Sequence, residues 1–289
     1  MFSGFFKKIR LFLEMIKFEH SVFALPFAYL GLFLAAGGWP AFSVFLWVTV
    51  AMVSFRTTAM SLNRIIDRWI DARNPRTAGR AIPAGHLKVP FTWVTALFSF
   101  FVFAFSAWRL GPVCFGLCWI PAGLAFLYPW MKRFSWLSHG VLGSILAIAP
   151  SGAWLAAGRE LSLVPVFFSC GVACWVAGFD IIYALQDEDF DRTSGLHSVP
   201  ARWGRTVSLR TVMVLHGVAV VFWAGAGLLA PLGFFYSIGL ALTAGMLLRE
   251  NLLIRRYGMQ KLQEAFFRLN AWISLVLFVS VLADLWTKK

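Results

Sequence analysis

The chain has 289 residues, of which 60% are apolar and 13% are charged, and its mean hydropathy is +0.74. Soluble domains are about 45–50% apolar and about 25% charged, so this composition excludes a water-exposed globule. The 30 phenylalanines and 14 tryptophans exclude an intrinsically disordered chain. The remaining class is an all-α integral membrane protein, which is expected to form one polytopic domain over residues 1–289.

Residues 2–18 have the pattern of an amphipathic helix. Charged side chains recur at Lys7, Arg10, Glu14 and Lys17, and apolar side chains occupy the opposite face. We expect this segment to lie on the membrane surface.

Nine apolar runs follow, each close to the length of about 20 residues that a membrane-spanning helix needs. The predicted spans cover residues 20–40, 42–66, 91–110, 112–129, 138–157, 163–185, 209–229, 232–250 and 266–286. Acidic segments end the second and the sixth span, which are four helices apart. The predicted fold is therefore nine transmembrane helices, arranged as two four-helix units plus a ninth helix.

The 26 basic and 13 acidic residues give a net charge of +13. With nine spans, 21 basic residues fall on one side of the membrane and four on the other, and Arg56 lies inside a span. Because basic loops face the cytoplasm, the N-terminus and the long loops 67–90 and 186–208 are predicted to be cytoplasmic and the C-terminus to lie outside. We expect a plasma (inner) membrane location. This excess of basic residues on the cytoplasmic side explains the net charge of +13, so no nucleic-acid partner is expected.

The first acidic motif contains Asn63, Asp67 and Asp71 at intervals of four residues. On a helix this spacing places one amide and two carboxylates on one face. Arg56 continues that face towards the membrane interior, where an arginine must face a polar cavity or a partner.

The second acidic motif contains Asp180, Tyr183, Asp187 and Asp191, which again share one face of a predicted helix. Asp187 and Asp191 would be neighbours, and like charges at this spacing repel each other. A divalent cation turns the repulsion into attraction. A set of carboxylates favours a hard ion, and Mg²⁺ suits best where a diphosphate supplies further oxygens. Solvated helix ends are the alternative for any single acid, but two motifs on one membrane face favour a site.

Basic residues near both motifs are candidates for holding phosphate oxygens. They are Arg56, Arg64, Arg76, Arg80, Lys132 and Arg133. For Lys132 and Arg133, topology and lipid headgroups are the alternative explanation. His197 in the second long loop is a further candidate for contacting an acidic substrate.

The two motifs, Asn-x₃-Asp-x₃-Asp at 63–71 and Asp-x₃-Asp at 187–191, resemble those of the UbiA superfamily of intramembrane prenyltransferases. Further stretches resemble its 4-hydroxybenzoate polyprenyltransferase branch. These stretches are residues 74–77, 128–133, 183–187 and 195–204. The resemblance covers almost the whole chain.

This resemblance implies a Mg²⁺-dependent enzyme that transfers a polyprenyl group from a polyprenyl diphosphate to an aromatic acceptor at the cytoplasmic face. In this branch the acceptor is 4-hydroxybenzoate, and the pathway is ubiquinone or menaquinone biosynthesis. The implied metal ligands and catalytic residues are Asp67, Asp71, Asp187 and Asp191. Asp191 is also a candidate base, and Asn63, Tyr183 and Asp180 are implied substrate contacts.

Two alternatives stay open at this point. The same chemistry serves other acceptors in the superfamily: dihydroxynaphthoate, a futalosine-route aromatic, homogentisate, haem or a chlorin. An ion-coupled transporter is the main alternative outside enzymes, although it would favour charges near the bilayer midplane. The expected partners are the two substrates and the lipid bilayer, with no obligate protein partner.

Overall fold

The computed structural model describes residues 10–16, 24–230, 232–262 and 268–287. Over these residues the chain is helical, with no strand. The helices are α1 (10–15), α2 (Leu25–Ala36), α3 (Phe42–Ile66), α4 (Arg68–Arg73), α5 (Val89–Arg109), α6 (Pro112–Leu117), α7 (Trp119–Met131), α8 (Ser138–Ala156), α9 (Leu163–Ala184), α10 (Glu188–Thr193), α11 (Val199–Leu229), α12 (Phe234–Tyr257) and α13 (Asn270–Thr287). Single 3₁₀ segments follow α9 and α12.

Eight helical stretches in the described part of the chain are long and apolar enough to cross a membrane. Three of them are composite, since α6 continues into α7, α9 into α10, and α12 into its 3₁₀ turn. They match the second to ninth predicted spans, so the chain is a multi-pass membrane protein. At the first predicted span the described helix is α2, which has only 12 residues, and residues 17–23 lie outside the described chain.

The long helices α3 and α9 end before the acidic motifs do. Helix α3 ends one residue before Asp67, and the short helix α4 carries Asp71. Helix α9 ends three residues before Asp187, and α10 carries Asp191. The prediction of one continuous helical face at each motif is therefore wrong. A break favours the acids electrostatically, because it places Asp71 and Asp191 in the first turn of a new helix rather than at the negative end of a long one.

Helix α11 begins at Val199, ten residues before the predicted seventh span. Its start is capped by Ser198, whose hydroxyl accepts a hydrogen bond from the Ala201 N–H at 3.2 Å. At Gly204 (φ 72°, ψ 175°) the helix is kinked by a backbone conformation that favours glycine. Part of the predicted second long loop is therefore helical.

Helix α9 is the most deeply buried of the spanning stretches and packs between α8 and α11. Trp175 and Phe168 of α9 are inaccessible, as is Trp223 of α11. Phe27 of α2 stacks on Trp223, with ring centroids 5.7 Å apart. This packing holds the end of α9, and with it the second acidic motif, in a fixed position.

Residues 10–16 belong to the predicted amphipathic helix, and their apolar side is partly buried in the protein. Phe12 and Ile16 pack against Ile65 of α3 and Leu87 of the loop before α5. The rest of that predicted helix lies outside the described residues.

Helix α8 contains a matched pair of glycines that tests the contact with α9. A Cβ at Gly143 would lie 2.4 Å from the carbonyl oxygen of Ala173, whereas a Cβ at Gly140 would meet nothing within 4 Å. We expect Gly143→Ala to destabilise the purified protein by about 1–3 kcal/mol through overpacking. We expect Gly140→Ala to leave stability unchanged or to raise it by up to about 1 kcal/mol. Thermal unfolding in detergent measures both, and equal midpoints would contradict the close α8–α9 contact.

Candidate active site

A cavity of about 1160 Å³ runs from the two acidic motifs into the helix bundle. Its walls come mainly from α3, α5, α7, α8 and α9, and away from the motifs they are mostly apolar, with Arg56 as a charged exception on α3. Twelve of the predicted site residues line it: Arg56, Asn63, Arg64, Asp67, Asp71, Arg76, Arg80, Lys132, Asp180, Tyr183, Asp187 and Asp191. Arg133 and His197 do not. Both motifs therefore face one space, although they are more than 100 residues apart in the sequence.

Asp67 lies at the junction of α3 and α4, where its oxygens face two polar neighbours. The Asn63 side-chain amide donates to Asp67 Oδ2 at 3.1 Å, and Arg64 Nη1 donates to Asn63 Oδ1 at 3.2 Å. Arg133 Nη2 lies 3.7 Å from Asp67 Oδ1. Burial raises the pKa of Asp67 to about 6, and the charge of Asp71 adds to the rise. A cation at this position would therefore stabilise the ionised carboxylate.

Asp71 is held by the basic loop, which we define as residues 74–80. Arg80 Nη1 lies 2.7 and 2.8 Å from the two carboxylate oxygens of Asp71. The Thr77 hydroxyl donates to the Asp71 main-chain carbonyl at 3.0 Å. The loop is therefore folded back onto the motif that precedes it.

The same loop reaches the second motif through a turn at Asn74. The Asn74 side-chain oxygen accepts the Arg76 N–H at 2.9 Å, which is an Asx turn, and its amide donates to Asp187 Oδ1 at 2.8 Å. Arg76 Nε donates to the same oxygen at 2.8 Å, and Nη2 donates to Oδ2. Arg76 also donates to the Tyr183 hydroxyl at 3.0 Å and lies over its ring. Its pKa is raised, because the bonds to Asp187 outweigh the effect of burial.

Asp191 of α10 faces Lys132, which follows the end of α7, and Lys132 Nζ lies 3.7 Å from Asp191 Oδ2. Burial opposes the charge of Lys132, but the surrounding carboxylates, Asp191 foremost, raise its pKa. Two main-chain hydrogen bonds hold Asp191 and Lys132 in place. The Leu196 N–H donates to the Asp191 carbonyl at 2.8 Å, and the His197 N–H donates to the Lys132 carbonyl at 2.7 Å.

The four carboxylates therefore each lie beside a cationic side chain, and together they form an oxygen-only donor set. Asp67 Oδ1 and Asp191 Oδ2 are buried and accept no hydrogen bond from the described residues. No three Asp, Glu, His or Cys side chains of that part of the chain are grouped closely enough to hold one ion. These residues fit Mg²⁺ bound through one or two carboxylates and completed by phosphate and water oxygens, which is its usual mode of binding.

The sequence profile of the UbiA prenyltransferase family matches residues 24–275. The chain belongs to this family. It is a prenyltransferase with the fold of its UbiA relatives.

Individual relatives agree with this assignment over most of their length. A 4-hydroxybenzoate octaprenyltransferase from Saccharophagus degradans is 30% identical over 254 residues, which are 88% of this chain and 84% of the relative. One from Tolumonas auensis is 29% identical over 255 residues, 87% of each chain. The apo structure of a UbiA homolog from Aeropyrum pernix K1 has a TM-score of 0.83 at 30% identity, covering 92% of this chain and 98% of the homolog. A UbiA homolog from Archaeoglobus fulgidus bound to GPP and Mg²⁺ shares the fold (TM-score 0.70, 15% identity, 94% and 99% coverage).

Two predicted site residues of this UbiA-family chain lie outside the cavity. Arg133 donates to the Ile66 carbonyl at 2.9 Å, which caps α3, and stacks on Trp130 at 4.2 Å. The His197 side chain is exposed, and its backbone holds Lys132. The geometry gives Arg133 a place beside Asp67 and joins His197 to the predicted residue Lys132 through its backbone N–H.

Three further residues, Asn74, Tyr128 and His139, lie at the candidate site although they were not named as site residues from the sequence. Asn74 is buried against Asp187, a partner 113 residues away that the local sequence does not indicate. Tyr128 of α7 lines the cavity. His139 of α8 is bonded to Asp180, a pairing that depends on the packing of α8 against α9 and has no signature in the local sequence.

Proposed function

We propose that this UbiA-family chain transfers a polyprenyl group from a polyprenyl diphosphate to the ring of 4-hydroxybenzoate, in ubiquinone or menaquinone biosynthesis. The observation that carries the proposal is the convergence of two acidic motifs and a basic loop at one end of a largely apolar cavity. The names of the relatives support this acceptor. The other superfamily acceptors are alternatives that use the same motifs.

The diphosphate of the donor would lie between the two motifs. Asp67 and Asp71 would hold Mg²⁺ from one side, and Asp187 and Asp191 from the other. When bound, Mg²⁺ neutralises the negative charge that develops on the departing diphosphate. Asn63, which bonds Asp67, would fix the orientation of that carboxylate. The homolog of the same fold that is bound to GPP and Mg²⁺ supports a prenyl diphosphate that binds together with Mg²⁺.

Cationic side chains at the cavity mouth would hold the phosphate oxygens directly. They are Arg64, Arg76, Arg80 and Lys132, all of which line the cavity. Arg76, Arg80 and Lys132 each face a carboxylate of a motif in the ligand-free protein. Binding of a metal-bound diphosphate therefore gives these cations phosphate oxygens to bind while the carboxylates turn to the metal.

Two charged residues of the cavity, Arg56 on α3 and Asp180 on α9, lie deeper than the four aspartates that would hold Mg²⁺. Arg56 precedes Asp67 by eleven residues and Asp180 precedes Asp187 by seven, which is about 16 Å and about 10 Å along a helix. At that depth Arg56 is better placed for a carboxylate of the acceptor than for the phosphate predicted from the sequence. We therefore place the acceptor beside Arg56 and Asp180. The reacting carbon of the donor would lie between the acceptor and the four aspartates that would hold Mg²⁺.

The reaction has a simple balance of bonds. The bond between prenyl C1 and the diphosphate oxygen breaks, a bond between C1 and a ring carbon forms, and that carbon loses its proton. Asp191 is the candidate base. The apolar walls exclude water, which would otherwise capture the allylic cation, and they accommodate the prenyl tail.

The finer architecture is also a proposal. We propose nine membrane spans, with the first completed around α2, in two four-helix units plus α13, in a plasma (inner) membrane. The basic loops and the active site would face the cytoplasm and the C-terminus would lie outside.

This orientation predicts opposite labelling of two exposed positions. In a background with the four native cysteines replaced, a thiol reagent that cannot cross the membrane should label Ser162→Cys, between α8 and α9, from outside intact cells. Thr193→Cys, at the end of α10, should be labelled only after the membrane is permeabilised. The reverse pattern would contradict the orientation.

The acceptor is tested by incubating the purified protein in liposomes with a polyprenyl diphosphate, Mg²⁺ and one aromatic compound at a time. We expect prenylated 4-hydroxybenzoate to be the main product. Faster turnover of dihydroxynaphthoate or homogentisate would show that the preferred acceptor is that compound, while the proposed prenyl-transfer reaction would stand. Solute movement across the liposome membrane with no prenyl transfer would favour the transporter and overturn the proposal.

A further inference from the structure

The buried histidine His139 lies behind the cavity wall and is bonded on both sides of its ring. Its Nδ1 lies 2.7 Å from Asp180 Oδ2, and its Nε2 lies 3.3 Å from the backbone nitrogen of Val199. The His139 side chain is 3% exposed. It therefore joins α8, α9 and the start of α11.

The two contacts define where the ring proton of His139 lies. A backbone N–H can only donate, so Val199 makes Nε2 the acceptor and leaves Nε2 without a hydrogen. The neutral ring then carries its hydrogen on Nδ1 and donates it to Asp180. Asp180 Oδ2 is thereby fixed, and the plane of the carboxylate is set by a buried donor that is itself anchored to the main chain.

The second oxygen of Asp180 is available to a ligand. Asp180 lines the cavity, its side chain is 13% exposed, and His139 is its only hydrogen-bond partner among the described residues. It lies two helical turns deeper than Asp187, which belongs to the diphosphate end of the cavity. An anionic phosphate is repelled by such a carboxylate, whereas a hydroxyl group is attracted as a donor.

We propose that Asp180 binds the phenolic hydroxyl of the aromatic acceptor and that His139 is the positioning residue that holds Asp180 for this contact. A carboxylate that accepts the hydroxyl hydrogen bond increases electron density at the neighbouring ring carbon, which is the atom that attacks the prenyl cation. The inference rests on the proposed function and deepens it, since it assigns the hydroxyl end of the acceptor to a specific pair of residues.

The test compares two ligands that differ only in the hydroxyl group. Binding of 4-hydroxybenzoate and of benzoate is measured by calorimetry on the full-length protein, loaded with Mg²⁺ and a non-hydrolysable prenyl diphosphate analogue. We expect His139→Leu to weaken binding of 4-hydroxybenzoate by about 10-fold or more and to leave benzoate within about 2-fold. The affinity for the prenyl analogue should not change.

Conservative and control variants separate positioning from general structural damage. His139→Asn keeps an N–H donor close to the position of Nδ1 and should recover most of the affinity for 4-hydroxybenzoate. In an Asp180→Asn background, His139→Leu should have little further effect, as expected for two residues that act as one unit. Gly140→Ala, on the same helix but outside the cavity lining and with open space around its Cβ, should bind both ligands normally.

The outcomes distinguish this inference from the proposed function. Equal weakening of both ligands, or no weakening of either, would overturn the role of the pair while leaving the enzyme assignment intact. Failure of the unaltered protein to bind 4-hydroxybenzoate at all would overturn the proposed acceptor and the inference with it.

Discussion

Replacing Asp191 by asparagine should lower the rate of prenyl transfer by more than about 100-fold. Groups that only support a metal ligand typically cost about 10–100-fold when removed, so loss of a ligand is expected to cost more. Asp191 Oδ2 is buried and accepts no hydrogen bond from the described residues, and Lys132 Nζ is 3.7 Å away, which leaves this oxygen free for a metal. Steady-state rates at saturating donor and acceptor measure the effect.

Asp189 provides the matched control on the same short helix. It carries the same charge two residues away, but its side chain is exposed and does not line the cavity. Asp189→Asn should therefore retain near-normal activity, and both variants should unfold at similar temperatures. A second readout is Mn²⁺ binding followed by electron paramagnetic resonance with a prenyl diphosphate analogue present, in which only Asp191→Asn should weaken the metal. Full activity of Asp191→Asn would contradict its assignment as a ligand.

Replacing Arg76 by lysine should lower kcat/KM for the polyprenyl diphosphate by about 10–100-fold, although the charge is retained. The Arg76 guanidinium binds both oxygens of Asp187, donates to the Tyr183 hydroxyl and lies over the Tyr183 ring. In the proposed donor complex the same planar fork would bind phosphate oxygens, and a lysine ammonium cannot make that two-pronged contact. Each lost bond to a charged group is worth about 1.5–3 kcal/mol, which corresponds to the predicted range.

Arg73 is the control for a general effect of charge in this region. It lies on α4, three residues earlier, and is exposed outside the cavity. Arg73→Lys should leave kcat/KM for the donor within about 2-fold. An Arg76→Lys protein with normal donor kinetics would show that charge alone suffices at this position.

The sequence was enough to predict the polytopic helical fold and to identify twelve residues that line one cavity. Acids are rare in this chain, so their clustering at the ends of two apolar runs is informative without any structure. The eight long spans lie where apolar length predicts them. Eleven of the twelve predicted residues in the cavity lie within a motif or in the basic segment that follows an apolar run, and the twelfth, Arg56, lies inside a span.

What the sequence did not reveal depends on local electrostatics and on contacts between distant residues. A four-residue spacing predicts a continuous helix through Asp67. Instead, helix α3 ends just before Asp67, and Asp71 lies in the first turn of α4. The pairing of His139 with Asp180 arises only when α8 packs on α9 through the small residue Gly143. Periodicity describes one helix at a time, so neither result follows from it.

The most direct test of the account is prenyl transfer with and without Mg²⁺. The purified protein in liposomes is given 4-hydroxybenzoate and a radiolabelled polyprenyl diphosphate, first with EDTA and then with excess Mg²⁺ restored. We predict prenylated 4-hydroxybenzoate only when Mg²⁺ is present, with activity recovered on its return. Undiminished transfer in EDTA would contradict the assignment of the two acidic motifs as a metal-dependent diphosphate site.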